Sequence, residues 1–298
     1  MTHALLLLPD FLLIVLGFAL CRWTALNRPV WDAAERLVYY LLFPVLLFNS
    51  ILKSPLQPGQ TAPLAASSVG TVAIGIVLAL ALGRWPGVDA RLHASGAQTV
   101  YRFNSFIALA LAERLGGPQG LAWMALNIAL CVPLCNVAAV WPLARHGGHS
   151  YGRELLRNPL ILSTLAGLVA NLVGLKFPEA MATTLQRIGL AALPLGLMAV
   201  GAGLRLGGLN AAPRLAATLM LLRHAVLPAV AVGLTAVLAL PPDQRTIVVL
   251  FAAVPTASSA YVLAARMGGD GVYVAGLVTL STLLGALSIP LWLAVIGW

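Results

Sequence analysis

Two polar segments interrupt otherwise apolar stretches of this chain, YRFNSF near its first third and AAVPTASSAY near its C-terminal end. The residues that could do chemistry there are Arg102, Asn104, Ser105, Pro255, Thr256, Ser258 and Ser259. A guanidinium can donate two hydrogen bonds to one carboxylate, and amide and hydroxyl groups can add further bonds. H-E-x-x-H does not occur in the sequence. The segments therefore predict recognition of an organic anion rather than catalysis.

The composition identifies the class of protein that must position these segments. The 298 residues are 60% hydrophobic and 9% charged, with a mean hydropathy of +0.93, which is typical of membrane proteins. Ten apolar stretches are long enough to cross a hydrocarbon core of about 30 Å. They cover approximately residues 5–21, 34–52, 64–82, 95–113, 120–142, 159–175, 188–204, 215–240, 246–265 and 272–296. We predict an all-α membrane protein of ten transmembrane helices, in which YRFNSF lies in span four and AAVPTASSAY in span nine.

Basic residues predict how the chain is oriented. Assigning loops alternately to the two sides gives twelve Arg and Lys on one side and five on the other, or eleven and five when Arg102 is counted within span four instead. Because cytoplasmic loops are enriched in these residues, we expect both termini outside a plasma (inner) membrane, with span one retained as a helix. The net charge of +9 then reflects loop bias and does not indicate nucleic-acid binding.

A repeated heptapeptide predicts internal symmetry. LAERLGG at Leu111–Gly117 returns as LAARMGG at Leu263–Gly269, 152 positions later, at the ends of spans four and nine. Five spans separate the copies, so the repeat must be inverted. We expect a first repeat at 1–143, a cytoplasmic linker at 144–157 and a second repeat at 158–298. Inverted five-span repeats are typical of secondary transporters, whose sites lie near the bilayer midplane on interrupted helices.

The centres of spans four and nine are the candidate interruptions. At the 152-residue offset, Asn104 matches Thr256 and Phe103 matches Pro255. A proline removes a backbone hydrogen bond, so Pro255 predicts a break, although a simple kink is the alternative. Asn104 and Ser105 compete for backbone hydrogen bonds without forbidding a helix. Interrupted helices expose N–H groups and positive dipole ends, which favour an anion.

Several other polar side chains lie within spans. Arg102 is about 16 Å of helix from the outward end of span four, too deep for a loop charge, which leaves a substrate or gating role and snorkelling or helix-end capping as equal alternatives. Asn127 and Asn136 either line a polar cavity or join neighbouring helices. Arg223 in span eight is expected to snorkel to the inner interface. The cysteines and histidines predict no metal site, and no cofactor is expected.

The positions of the acidic residues bear on energy coupling. All nine are assigned to loops or span ends: Asp10, Asp32, Glu35, Asp89, Glu113, Glu154, Glu179, Asp243 and Asp270. A proton relay of paired midplane carboxylates is therefore disfavoured. Outward movement of one negative charge gains about 2.3 kcal/mol per 100 mV, so anion export needs no coupling ion. Symport with sodium or protons is the alternative, and a channel or an intramembrane enzyme is less favoured.

Longer motifs resemble the auxin efflux carrier family of membrane transporters. They are YYLLFPVLLFNSI, YRFNSFIALALAERLGG, NPLILSTLAGLVANLVGL, AALPLGLMAVGAGL and VPTASSAYVLAARMGGD. The resemblance implies a scaffold of spans one, two, six and seven and a moving transport domain of spans three to five and eight to ten, as in an elevator-type carrier. It also implies that spans four and nine cross at broken centres, that span five contributes to the site, that auxin-like aromatic acids or dicarboxylates are carried, and that a homodimer forms through the scaffold. One departure is that no proline lies between Pro86 and Pro118, where plant members have one at the span-four crossing.

Overall fold

The computed structural model describes residues 2–53, 58–144, 159–205, 207–257 and 259–298, and this part of the chain is helical with no strand. The helices of the first half are α1 Thr2–Trp23, α2 Arg28–Leu37, α3 Phe43–Lys53, α4 Pro58–Ala81, α5 Ala90–Gly96, α6 Gln98–Tyr101 and α7 Ser105–Ala144. Those of the second half are α8 Pro159–Leu172, α9 Glu179–Leu190, α10 Ala192–Ala202, α11 Pro213–Leu221, α12 Leu227–Val237, α13 Pro242–Ala253, α14 Ser259–Arg266 and α15 Gly271–Val295.

The helices have the length and composition of membrane-spanning segments. Within the described residues, six helical segments are long and apolar enough to cross a bilayer: Arg28–Lys53, Thr61–Arg84, Ala90–Ala139, Glu179–Ala202, Pro213–Val237 and Gly271–Val295. The prediction of an α-helical membrane protein is therefore confirmed.

Helix α7 contains a reversal rather than one straight run of 40 residues. Gly117 has a non-helical backbone (φ 56°, ψ −151°), which glycine adopts without a Cβ clash, and Pro118 begins the second leg. A Cβ added to Gly120 would lie 2.6 Å from the carbonyl oxygen of Ala112. Eight residues of straight helix would span about 12 Å, so the chain turns back at Gly117.

Two close helix contacts occur at positions related by the sequence repeat. Helix α1 packs against α10, where a Cβ on Gly17 would overlap the carbonyl of Met198. Helix α8 packs against α3, where a Cβ on Gly167 would lie 3.0 Å from the carbonyl oxygen of Phe48. Gly17 and Gly167 are 150 positions apart, as are Phe48 and Met198. Small residues let helix backbones approach closely in membranes. Here a glycine of the first half contacts a backbone carbonyl of the second half, and the equivalent glycine of the second half contacts the equivalent carbonyl of the first half.

An ion pair joins the first leg of α7 to α1. The Nε and Nη2 atoms of Arg114 donate to the two carboxylate oxygens of Asp10 at 2.6 and 3.3 Å. Asp10 is only 7% exposed and lies eight residues into α1, so the expectation that every carboxylate lies in a loop or near a span end is wrong for Asp10. A bidentate arginine is the partner that best compensates a buried carboxylate for its lost hydration.

Candidate functional site

The chain leaves the helical conformation at both positions where the sequence predicts an interruption. The first lies between α6 and α7, and the second between α13 and α14. The backbone N–H of Asn104 donates to the carbonyl oxygen of Pro255 at 2.8 Å, so the two interruptions touch. We call this contact region the crossing.

Equivalent residues adopt the same backbone conformation just before each interruption. Arg102, which follows α6, has φ −73° and ψ 142°. Val254, which follows α13 and lies 152 positions later, has φ −62° and ψ 150°. Both residues are extended where a helix would otherwise continue.

Asn104 forms the start of α7 with its own side chain. Its Oδ1 accepts hydrogen bonds from the backbone N–H groups of Phe106 and Ile107 at 3.1 and 3.2 Å. This is N-capping, and it ends the interruption without a proline. The sequence analysis expected free N–H groups at the start of this helix to bind an anion. Two of those N–H groups are instead bonded to the side chain of Asn104.

The guanidinium of Arg102 joins three parts of the chain. Its Nη1 donates to Ser259 Oγ at 3.0 Å, at the start of α14, and its Nη2 donates to Asn136 Oδ1 at 2.6 Å, on the second leg of α7. The residue is only 9% exposed, so its charge stays inside the protein and does not snorkel. Three of the predicted site residues are thus brought together by direct hydrogen bonds.

Arg223 is a functional candidate that the sequence reasoning assigned wrongly. Its Nε and Nη2 donate to the carbonyl of Val254, and its Nη1 donates to the carbonyl of Val100 at 3.1 Å. With 2% exposure it does not snorkel to an interface. The sequence does carry a signal, an Arg-His pair well inside an apolar span. Counting inward from the ends of the 28 residues Pro213–Leu240 placed this pair too close to the membrane surface.

His224 extends a polar chain to the crossing. Its Nδ1 and Nε2 lie 2.9 and 2.8 Å from the hydroxyls of Ser288 and Ser281 on α15. Ser281 Oγ in turn accepts the backbone N–H of Thr256 at 3.0 Å. The peptide group after Pro255 is therefore held by α15.

Several buried polar atoms of the predicted site residues have no hydrogen-bond partner among the described residues. They are Nδ2 of Asn104, Oγ1 of Thr256, Nε of Arg102 and both side-chain polar atoms of Asn127. Asn127 is fully buried, and the interhelical hydrogen bond that was its alternative role is not formed. An unsatisfied buried polar group costs about 1–3 kcal/mol, so these atoms favour a polar ligand or ordered water.

The remaining predicted site residues are placed as follows. Ser105 is the half-buried first residue of α7. Pro255 is buried against α15, where a Cβ on Gly285 would lie 3.1 Å from its Cδ. Ser258 and residues 145–157 of the predicted linker lie outside the described residues. Thr256 has no exposed surface, whereas Ser259, which accepts a hydrogen bond from Arg102, is exposed.

Apolar spanning helices with two interrupted helices in contact inside them define a membrane transporter rather than a soluble enzyme. Residues 142–293 match the family model described as membrane transport protein. The chain belongs to this family, that of the auxin efflux carriers, and the predicted resemblance is confirmed. It is a transporter and not an enzyme.

Two curated relatives match nearly the whole chain. A putative malonate transporter of Rhizobium meliloti is 26% identical over 298 residues, covering 95% of this chain and 92% of the relative. An uncharacterized transporter of Methanothermobacter thermautotrophicus is 27% identical over 292 residues, covering 95% of each.

Proposed function

We propose that this protein is an elevator-type carrier that exports small organic anions, bound at the crossing as carboxylates, across the plasma (inner) membrane. The observation that carries the proposal is that the Asn104–Pro255 contact brings a buried arginine, Arg102, into the same region as Asn104 Nδ2 and Thr256 Oγ1, two donors without a partner among the described residues. A carboxylate has two oxygens that accept several hydrogen bonds, and it would satisfy these groups together.

The proposed substrate class is short dicarboxylates, with auxin-like aromatic acids as the other candidates. One relative carries the name of a malonate transporter, which supports the first class. A screen of carboxylic acids for thermal stabilisation of the purified protein would identify the ligand, since a ligand at 100 times its Kd stabilises by about 2.7 kcal/mol. Stabilisation by no carboxylate would contradict the proposal.

The proposed architecture is ten spans in two inverted repeats, residues 1–143 and 158–298. The exchanged glycine contacts of α1 with α10 and α3 with α8 support this symmetry, as do the equal conformations of Arg102 and Val254. Spans one, two, six and seven form the scaffold, and the others form the moving transport domain. Countertransport in vesicles distinguishes this carrier from a channel, which shows no exchange between substrate pools.

Movement of the transport domain can be tested at the ion pair of α1 with α7. If α1 belongs to the scaffold and the first leg of α7 to the moving part, Asp10 and Arg114 must separate during transport. Cysteines at both positions, in a background lacking Cys21, Cys131 and Cys135, should allow a short cross-linker to stop flux while substrate binding persists. Flux that continues after complete cross-linking would contradict the elevator motion. Each single-cysteine variant, treated identically, is the control.

The proposed driving force is the membrane potential. In proteoliposomes, an inside-negative potential should increase efflux of a monoanion at fixed pH without sodium. Symport with sodium or protons is the second candidate. Flux that ignores the potential and follows a pH gradient would support that alternative.

Orientation and assembly complete the proposal. We place both termini outside and form the homodimer through the scaffold, as the basic residues and the family resemblance suggest. Cysteine labelling of Trp298→Cys in intact cells tests the first point, and mass measurement of the protein released from native membranes tests the second.

A further inference from the structure

A π turn at Leu222–Val226, inside the helix formed by α11 and α12, directs two consecutive side chains into the protein. Adjacent side chains on a regular α-helix point about 100° apart, and a π turn changes that spacing locally, often at functional sites. Arg223 is 2% exposed and His224 is 8% exposed, although Leu221 just before them is 59% exposed. The turn therefore presents two polar groups to the crossing from one point of the helix.

Arg223 contacts the C-terminal ends of both helices that stop at the crossing. The carbonyl of Val100 belongs to the last turn of α6, and the carbonyl of Val254 directly follows α13. Each helix C-terminus carries roughly half a negative charge, and a nearby cation compensates it. One guanidinium therefore offsets the negative ends of two helices.

The adjacent histidine, His224, acts on the other side of Pro255. Arg223 holds the carbonyl of Val254, before Pro255, while His224 bonds to Ser281, which accepts the N–H of Thr256 after it. Both peptide groups that flank the proline are thus fixed from one π turn.

We propose that Arg223 is a positioning residue that gives the crossing its preference for anions. The proposal rests on the proposed function, since it assumes that an anion binds there. Without Arg223, two helix C-termini would oppose an anion where the N-termini of α7 and α14 and the charge of Arg102 attract it. With Arg223 bound to those C-termini, the positive groups remain uncompensated.

The test compares Arg223→Gln with Arg214→Gln in the full-length purified protein. Arg214 is exposed and lies on α11, which belongs to the same long helix as Arg223. Its substitution therefore removes one positive charge at a site away from the crossing. Affinities are measured for malonate, a dianion, and for its monoamide, a monoanion of similar shape. Arg223→Gln should reduce the ratio of the two affinities by about tenfold, and Arg214→Gln should leave it unchanged. A purely structural role would weaken both ligands equally.

A second variant provides a readout that does not require the glutamine variant to fold. Arg223→Lys keeps the charge, but a buried ammonium loses its proton more readily than a guanidinium. Malonate affinity of the lysine variant should fall between about pH 6 and pH 9, relative to the parent protein measured in parallel. The ionisable groups around this position are common to both proteins and form the shared background: Tyr101, Arg102, Cys135 and His224. Other ionisable side chains on the helices packed against the turn lie towards helix ends, and they too are shared: Asp243, Arg245 and Tyr273.

The outcomes separate this proposal from the proposed function. An unchanged affinity ratio in Arg223→Gln overturns the role of Arg223 alone. If that variant does not fold, a lysine variant whose pH profile matches the parent overturns it. A parent protein that binds no carboxylate overturns both proposals.

Discussion

The two interruptions have the same backbone conformation but different origins. Val254 is extended because a proline follows it, and proline disfavours the helical conformation of the preceding residue. Arg102 is equally extended, yet it is followed by Phe103. At the first interruption side-chain hydrogen bonds stabilise the break in place of a proline. Asn104 caps α7, and Arg102 donates hydrogen bonds to Asn136 and Ser259. A helix can therefore be broken by covalent geometry or by capping and tertiary hydrogen bonds.

The second interruption also depends on its surroundings. Arg223 and Ser281 bind the peptide groups on either side of Pro255. The proline is thus one of three determinants there, and the comparison with the first interruption suggests that it is the least essential. Substitutions at four positions, Phe103, Asn104, Ser281 and Pro255, test this difference.

The largest effect is expected from Phe103, the counterpart of Pro255. Phe103 is 4% exposed, and its ring centroid lies 4.5 Å from that of Phe251. Removing the ring should cost about 3–5 kcal/mol. Arg102 already has the conformation that precedes a proline. The free energy of unfolding of Phe103→Pro should therefore lie within about 1 kcal/mol of that of Phe103→Ala. Unfolding in detergent measures both. A proline variant about 3 kcal/mol below the alanine variant would show that the two interruptions are not equivalent.

The next effect concerns the amide of Asn104. Asn104→Ala should weaken carboxylate binding by about 1.5–3 kcal/mol through a lost charge-assisted hydrogen bond, or roughly 10- to 150-fold. It should also lower stability by about 1 kcal/mol, because the cap is lost. Asn104→Ser restores a capping oxygen but no amide donor, so stability should recover while binding stays weak. Asn210→Ala, at an exposed asparagine, is the control. Parent-like binding by the serine variant would make Asn104 purely structural.

A smaller loss is expected at Ser281, the acceptor for Thr256. Ser281→Ala leaves a buried backbone N–H and one nitrogen of His224 without their partner, which should cost about 1–2 kcal/mol in unfolding free energy. Ser288→Ala removes only the bond to the other histidine nitrogen and should cost less. Equal losses in the two variants would mean that the histidine, rather than the peptide group of Thr256, needs the hydroxyl.

The smallest effect is expected from the proline itself. Pro255→Ala should change stability by less than about 1 kcal/mol and leave carboxylate affinity within about threefold, because Arg223 and Ser281 still hold the flanking peptide groups. The same unfolding and binding assays apply. A loss above about 2 kcal/mol would establish the proline as the main determinant of the second interruption.

The candidate site was partly predictable from residue types and spacing. The 152-residue offset located both interruptions and gave Asn104 and Pro255, and Arg102 was named from its depth within span four. Arg223 was missed because its role depends on carbonyls 31 and 123 positions away, which no local pattern indicates. The capping by Asn104 was also missed, since the sequence offers the same side chain to a ligand and to its own helix.

The sequence by itself determined the membrane environment, the helical class, the family and the position of each break, because hydropathy, the internal repeat and proline stereochemistry are properties of short segments. Only the tertiary structure decided which hydrogen bonds close the crossing. Arg102 and Arg223 are both arginines inside apolar spans, yet one contacts side chains and the other contacts helix-end carbonyls. That choice follows from which helices pack together, because a buried guanidinium must bind whatever acceptors its neighbours supply.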